Sequence, residues 1–380
     1  MAIITFFNQC HIEHGAIDML AETLATLGIR RPLICTDKGL VDLGIADQIR
    51  GRIPNDVQVT LYDGTPENPT ETAVKDAVAL YRENDCDGII ALGGGSSMDL
   101  SKGVALLATH PEPLVDYNVM TGGVAKIGAC APMIAIPTTS GTGSEVSRGA
   151  VIITEDGRKL IFSSPNMLAK VALCDPELTV GLPRRLTAAT GMDAVTHLME
   201  AVMSPTENPA AEAIGIDGLW RAVGQGHLES VVANGEDREG RKQMMIAAAE
   251  GALAFTKGLG AVHAMSHAAG RIRELNLHHG TLNAVCLPAC LRYNQPVLGD
   301  KEDRMRKAMG LPDGAPLDKA IEELNARIGL PANLRDMGIT DEMVPGMIEH
   351  ALDDPTRATN ARPVDEAGFA ELYRDAMGDH

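Results

Sequence analysis

Aspartate and histidine recur in this chain at spacings that could hold a divalent metal. Asp193 and His197 stand four residues apart within Gly191–Glu200, and His263 and His267 stand four apart within Gly260–His267. On helices, each pair projects from one face. A tandem pair, His278 and His279, follows just before Gly280. Asp193, His197, His263 and one of the tandem histidines would give three imidazoles and one carboxylate with no thiolate. That set suits ferrous iron or zinc. A single polar pair at this spacing is ordinarily a solvated helix face. Several together, in an acidic chain with only 11 histidines, point instead to a metalloenzyme.

Two loops could bind phosphate. In Ala91–Lys102, three glycines (Gly93, Gly94, Gly95) follow an apolar run and open an amphipathic one. Without side chains there, backbone N–H groups can approach a pyrophosphate closely. Ser96 and Ser97 are expected to cap the ensuing helix. Met98 occupies the place of the last glycine in G-x-G-x-x-G, so the alternative is a plain strand-to-helix turn. Pro137–Glu145 supplies Thr138, Thr139, Ser140 and Thr142 on a second glycine-containing loop, where the alternative is a solvated turn. Together the loops imply a phosphorylated cofactor lying across a sheet.

The elements that must position these groups divide into two kinds. Short apolar runs at Pro32–Thr36, Val57–Leu61, Gly88–Leu92, Met133–Ile136 and Val151–Thr154 alternate with amphipathic stretches such as Ala16–Leu27 and Thr70–Arg82. That alternation predicts parallel strands with crossover helices. Beyond Pro183 the period becomes helical, at Ala188–Met203, Ala210–Val223, Arg241–Phe255, Gly260–Arg273 and Thr281–Tyr293. Shorter helices are expected at Leu317–Ile328, Asp341–Leu352 and Asp365–Met377. Residues 1–182 are therefore expected to form an α/β domain, and residues 183–380 an all-α domain carrying the metal ligands.

Composition removes several classes of function. At 380 residues the chain is long enough for two cores. With 45% hydrophobic and 22% charged residues it reads as a soluble globular protein. A formal charge of −18 argues against nucleic acid or an anionic membrane as partner. A small anion remains compatible, because arginines or helix N-termini can hold one locally. The seven cysteines are scattered without a C-x-x-C, which predicts reduced thiols in apolar surroundings. The stretch Met1–Asn8 has no basic region before its apolar residues, and no run approaches the roughly 20 apolar residues of a membrane span. A cytoplasmic protein is expected.

The ordered segments GGGSSMD, PTTSGTGSEV, DPELT (Asp175–Thr179), TAATGMDAVTH (Thr187–His197) and GAVHAMSH resemble the iron-containing, or group III, alcohol dehydrogenases. The likeness runs from about Thr36 to Asn294. It implies a Rossmann-like dinucleotide-binding domain and a helical domain in the dehydroquinate synthase-like architecture, with one metal between them. It further implies hydride transfer between an alcohol and NAD(P), in a homodimer or larger homo-oligomer. Carried over by position, the metal ligands would be Asp193, His197, His263 and His279, although spacing alone leaves His278 open. His267 would lie near nicotinamide and substrate as a proton-moving or merely shaping group. Asp37 would contact the adenosine ribose and select NAD. Gly94, Gly95, Ser96, Asp99, Thr138, Thr139, Thr142, Lys159 and Leu178 would contact the cofactor.

The segment Gly270–His279 is longer than is usual for the family. With HHGTLNAV and GSEVSRGAVI it gives the chain its closest resemblance to the 4-hydroxybutyrate dehydrogenases within that family. The implied substrate pair is 4-hydroxybutyrate and succinate semialdehyde, whose carboxylate needs a cation. Arg148, beside Gly149, and Lys257 are the candidates, each with a structural ion pair as the alternative. Dehydrogenases of uncharged short alcohols or maleylacetate-like substrates are the alternatives within the family. Outside it stand a metal-dependent hydrolase, a dehydroquinate-synthase-like lyase and a non-catalytic NAD sensor. The two phosphate-type loops weigh against the hydrolase, TAATGMDAVTH against the lyase, and a sensor would not need an open metal site.

Overall fold

The computed structural model describes residues 8–379. Residues 1–7, which carry most of the N-terminal reading, lie outside it. Contacts divide the chain into two compact units. One holds Ser140–Thr142 and the described residues from Val180 onward, and the other holds the described residues up to and including Thr139 together with Gly143–Thr179. The second phosphate-type loop thus straddles a division expected only near residue 182.

The α/β unit is built on β1 (Gln9–Ile12), β2 (Pro32–Cys35), β3 (Thr60–Tyr62), β4 (Gly88–Gly93), β5 (Met133–Pro137) and β8 (Val171–Cys174), with β6 (Gly149–Ile153) and β7 (Lys159–Ser163) forming a separate ribbon. The six-stranded sheet runs in the order β1-β8-β5-β4-β2-β3, and every recorded pair in it is parallel. Strands β2, β4 and β5 are buried at every position, as expected of parallel strands covered on both faces. Between the strands run α1 (Leu20–Leu27), α2 (Lys38–Asp42), α3 (Ile45–Arg50), α4 (Glu71–Glu83) and α5 (Gly95–Leu107). Thr70 starts α4 by accepting the Ala73 N–H at 3.2 Å, a side-chain N-cap.

Two strand expectations need correction. Val57–Leu61 contributes only its end, since β3 begins at Thr60. Val151–Thr154 belongs not to the parallel sheet but to the antiparallel ribbon β6–β7, closed by a turn with Gly157 at φ 82°. The Asp156-Gly157 pair between two apolar runs was the hairpin signal, and it outweighs the βαβ pattern.

The helical unit comprises α6 (Arg184–Met203), α7 (Pro209–Leu219), α8 (His227–Ala233), α9 (Arg238–Ala254), α10 (Ala261–Ala269), α11 (His279–Leu298), α12 (Asp300–Ala308), α13 (Leu317–Ile328), α14 (Val344–Asp353) and α15 (Glu366–Ala376). Helices α6, α10 and α11 are buried along most of their length, and α11 packs on both of the others. Gly280 permits the closest approach, because a Cβ there would stand 2.1 Å from the Ala189 carbonyl oxygen. Helix α10 stops at Ala269 rather than Arg273, and a 3-10 turn, Arg273–Leu275, leads to Asn276 at φ 44°. Helix α11 continues through Pro288, which supplies no N–H to the Ala284 carbonyl four residues back. The Asn325 amide donates to that carbonyl instead, at 2.7 Å.

Among the described residues no single helix is long and apolar enough to cross a membrane. The seven cysteines are free thiols, five of them buried.

Candidate metal centre

Helix α6 carries Asp193 and His197 on one stripe, α10 adds His263, and α11 begins with His279. From Asp193 Oδ1 the distances to Nε2 are 3.8 Å for His197, 4.0 Å for His263 and 3.5 Å for His279. Ligands about 2.1 Å from a tetrahedral ion lie about 3.4 Å apart, so this spacing suits one cation. Asp193, His197 and His263 are all buried, with ligand atoms mutually within 4.8 Å. Burial pushes His197 down to about 4, which keeps its imidazole neutral with a lone pair to give.

Asn283, one turn beyond His279, donates from Nδ2 to Asp193 Oδ1 at 2.8 Å. The same nitrogen lies 3.1 Å from His279 Nε2 and 3.3 Å from His263 Nε2. Its Oδ1 is buried with no partner. Several ligand atoms thus converge on one amide nitrogen, an arrangement that a cation would satisfy more fully. The donor set fits a divalent metal.

Two carboxylates that sequence reasoning passed over reach the other ring nitrogens. Glu200 Oε2 lies 2.5 Å from His263 Nδ1, and Asp354 Oδ2 lies 2.8 Å from His267 Nδ1. Burial alone would depress His263, but the Glu200 charge and hydrogen bond raise it. Burial opposes ionisation of Asp354, yet the His267 charge and the Thr356 hydrogen bonds hold it down at about 2. The His267 ring also stacks on His279, with centroids 5.2 Å apart. Glu200 was findable, because positions 193, 197 and 200 form one helical stripe. Asp354 comes from a remote segment with no local signal.

The cofactor-loop expectations are met unevenly. Gly94 precedes α5 and Gly95 begins it. Ser96 and Ser97 therefore lie inside the first turn and do not cap it, and the Ser96 hydroxyl donates to the Glu67 carbonyl. The loops meet where Thr138 N–H donates to Gly93 O at 3.0 Å, while Thr139 lies in the α/β unit and Thr142 in the helical one. Asp99 is engaged by protein groups, accepting from Ser144 Oγ at 2.8 Å and from the Val151 N–H at 2.9 Å. Through these bonds it braces the loop. Buried Lys102 joins this brace, donating to Ser144 Oγ at 2.7 Å and to the Gly149 carbonyl at 2.6 Å. Asp37 caps α2 through Oδ1 to Leu40 N–H at 3.0 Å. Leu178 is buried in the apolar layer against the sheet, and Lys159 Nζ reaches Asn68 Oδ1 at 3.5 Å.

Of the two basic residues, Arg148 is exposed at the start of β6. Lys257 is buried, with Nζ 2.6 Å from Glu212 Oε2, and Arg304 holds the other Glu212 oxygen. It is a structural ion pair rather than a substrate contact. Lys257→Ala should therefore cost about 3 kcal/mol of stability by leaving Glu212 short of a partner. Thermal melting should fall by several degrees, with catalytic efficiency on charged and uncharged alcohols changed equally. Selective loss on the charged alcohol would restore Lys257 as a substrate contact.

Residues 8–176 match the family described as iron-containing alcohol dehydrogenase, and residues 187–377 match the C-terminal region of the Fe-containing alcohol dehydrogenase family. The chain belongs to the iron-containing alcohol dehydrogenases. As a member of that family it is an oxidoreductase, and iron and NAD are the cofactors the family uses. A 4-hydroxybutyrate dehydrogenase of Cupriavidus necator is 48% identical over 385 residues, covering 99% of this chain and all of the relative. A 1,3-propanediol dehydrogenase of Citrobacter freundii is 36% identical, covering 96% and 95%. The crystal structure of a 1,3-propanediol oxidoreductase superposes with a TM-score of 0.93 at 33% identity, covering 99% of this iron-containing dehydrogenase and all of the other. A sulfoacetaldehyde reductase from Bifidobacterium kashiwanohense, solved in complex with NAD+, gives a TM-score of 0.90 at 26% identity with both chains fully covered.

Proposed function

We propose that this protein interconverts 4-hydroxybutyrate and succinate semialdehyde with NAD, using iron held by Asp193, His197, His263 and His279. The observation that carries the substrate is the 48% identity, over the full length of both chains, to the Cupriavidus 4-hydroxybutyrate dehydrogenase. The alcohol loses a hydride to the nicotinamide ring of NAD+ and a proton to the protein or solvent, giving the aldehyde and NADH. When bound, the metal supplies Lewis acidity to the reacting oxygen. The chain's own part is to fix the ligand atoms and handle the proton. With its Nδ1–H given to Asp354, His267 presents Nε2 as the atom that accepts or returns it. Asp37 Oδ1 caps α2 while its second oxygen serves a ribose hydroxyl, and the carboxylate repels a 2′-phosphate. Arg148 pairs with the substrate carboxylate. A cytoplasmic homo-oligomer completes the reading.

A matrix of cofactors and alcohols tests this on wild type, Asp37→Gly and Arg148→Ala. Wild type should favour 4-hydroxybutyrate over 1-butanol and 1,3-propanediol, and NAD over NADP. Asp37→Gly should relax the cofactor ratio. Arg148→Ala should lose roughly 2–4 kcal/mol of transition-state binding on the acid alone. A wild-type preference for an uncharged alcohol would overturn the substrate, and equal losses on acid and alcohol would overturn Arg148.

A further inference from the structure

His263 reaches the ligand cluster through Nε2, so that atom must carry a lone pair and the ring proton must sit on Nδ1. Neutral imidazole can place its proton on either nitrogen. What decides is the partner of Nδ1, and here it is Glu200, 2.5 Å away and buried like the histidine itself. The other Glu200 oxygen is fixed too, because Oε1 accepts the Val262 N–H at 2.8 Å. Val262 lies in the first turn of α10, whose N–H groups have no intrahelical acceptor. One carboxylate therefore meets two donors, one from the helix backbone and one from the ring of a residue on that helix. Gly260 makes room for it, since a Cβ there would stand 2.8 Å from Glu200 Oε1.

We infer that Glu200 is a positioning residue of the metal centre: as an acceptor at both oxygens it locks His263 in the tautomer that can bind metal through Nε2. This rests on the reading of Asp193, His197, His263 and His279 as metal ligands. A carboxylate is needed because both of its neighbours donate. Glutamine has the same shape but only one acceptor oxygen. If that oxygen serves Val262, the amide NH2 faces His263 Nδ1 and pushes the ring proton onto Nε2, where it blocks coordination. If the oxygen serves His263, two donors face each other at Val262. Methionine offers no donor and leaves the ring free to choose its tautomer. A carboxylate placed so also adds a second negative charge beside Asp193, which favours a divalent cation.

The order of the variants separates this role from packing. If Glu200 merely fills space and bonds the helix start, Glu200→Gln should behave best and Glu200→Met worse. Tautomer control predicts the reverse for metal. The experiment measures Zn2+ and Co2+ affinity by chelator competition, with the visible spectrum of the Co2+ protein and melting of the chelator-treated protein alongside. Glu200→Met should bind about tenfold more weakly than wild type, and Glu200→Gln up to about a hundredfold more weakly with an altered Co2+ spectrum. Glu200→Gln should nevertheless melt like wild type in chelator. Affinity of Glu200→Gln within twofold of wild type, or Gln binding tighter than Met, overturns the inference. If the glutamine variant does not fold, an unchanged affinity of Glu200→Met overturns it. Absence of stoichiometric metal in wild type would instead overturn the metal reading itself.

Discussion

His279→Ala is expected to strip the protein of stoichiometric metal, whereas His278→Ala should retain most of it. The reason is placement. His279 opens α11, and its Nε2 lies 3.5 Å from Asp193 Oδ1. Gly280 lets α11 press against the Ala189 carbonyl, which brings that ring to the cluster. His278 stands one position before that helix, as its N-cap residue. Removing one of four donors should weaken binding by more than the roughly 10–100-fold typical of losing an outer partner. Metal analysis of reconstituted, desalted protein reads the result directly, and dehydrogenase activity should fall in parallel. Metal lost from His278→Ala and kept by His279→Ala would show that the other imidazole is the ligand.

Asp354→Asn should leave the metal in place and slow turnover by about a hundredfold. Asp354 accepts from His267 Nδ1 at 2.8 Å, and its Oδ1 accepts the Thr356 N–H at 2.9 Å and the Thr356 hydroxyl at 2.6 Å. An asparagine held by the same Thr356 contacts would turn its NH2 toward His267. The ring would then carry its proton on Nε2 and could no longer accept one there. Loss of kcat with KM and metal content near wild type is the expected pattern. Wild-type kcat would mean that His267 only shapes the site, and loss of metal would place the dyad among the supports of the ligands.

How much of this could be read from residues follows from the range of each interaction. Asp193, His197 and His263 were legible because a helix places i and i+4 on one face, so spacing alone carries the chemistry. Glu200 obeys the same rule and was overlooked among Met199, Ala201 and Val202, although a lone carboxylate in an apolar stretch is itself a signal. Asp354 depends on the packing of α14 against α10 and left no trace in local sequence. Strands β2, β4 and β5 announced themselves as uniformly apolar runs. The ribbon β6–β7 was misread because Val151–Ile153 has the same apolar character as a buried strand, and only its turn distinguishes it. Lys257 illustrates a further limit: a basic residue next to a motif looks like a ligand contact until its counter-ion, 45 residues earlier, is seen.

Helices α6, α10 and α11 each contribute to one group of donor atoms while lying far apart along the chain. A metal held there ties the ends of long loops together, and bringing such ends together is what an unfolded chain resists entropically. A metal that binds there only in the folded chain would therefore stabilise the fold as well as supply chemistry. Without it these helices would open more often and be more readily cut by proteases.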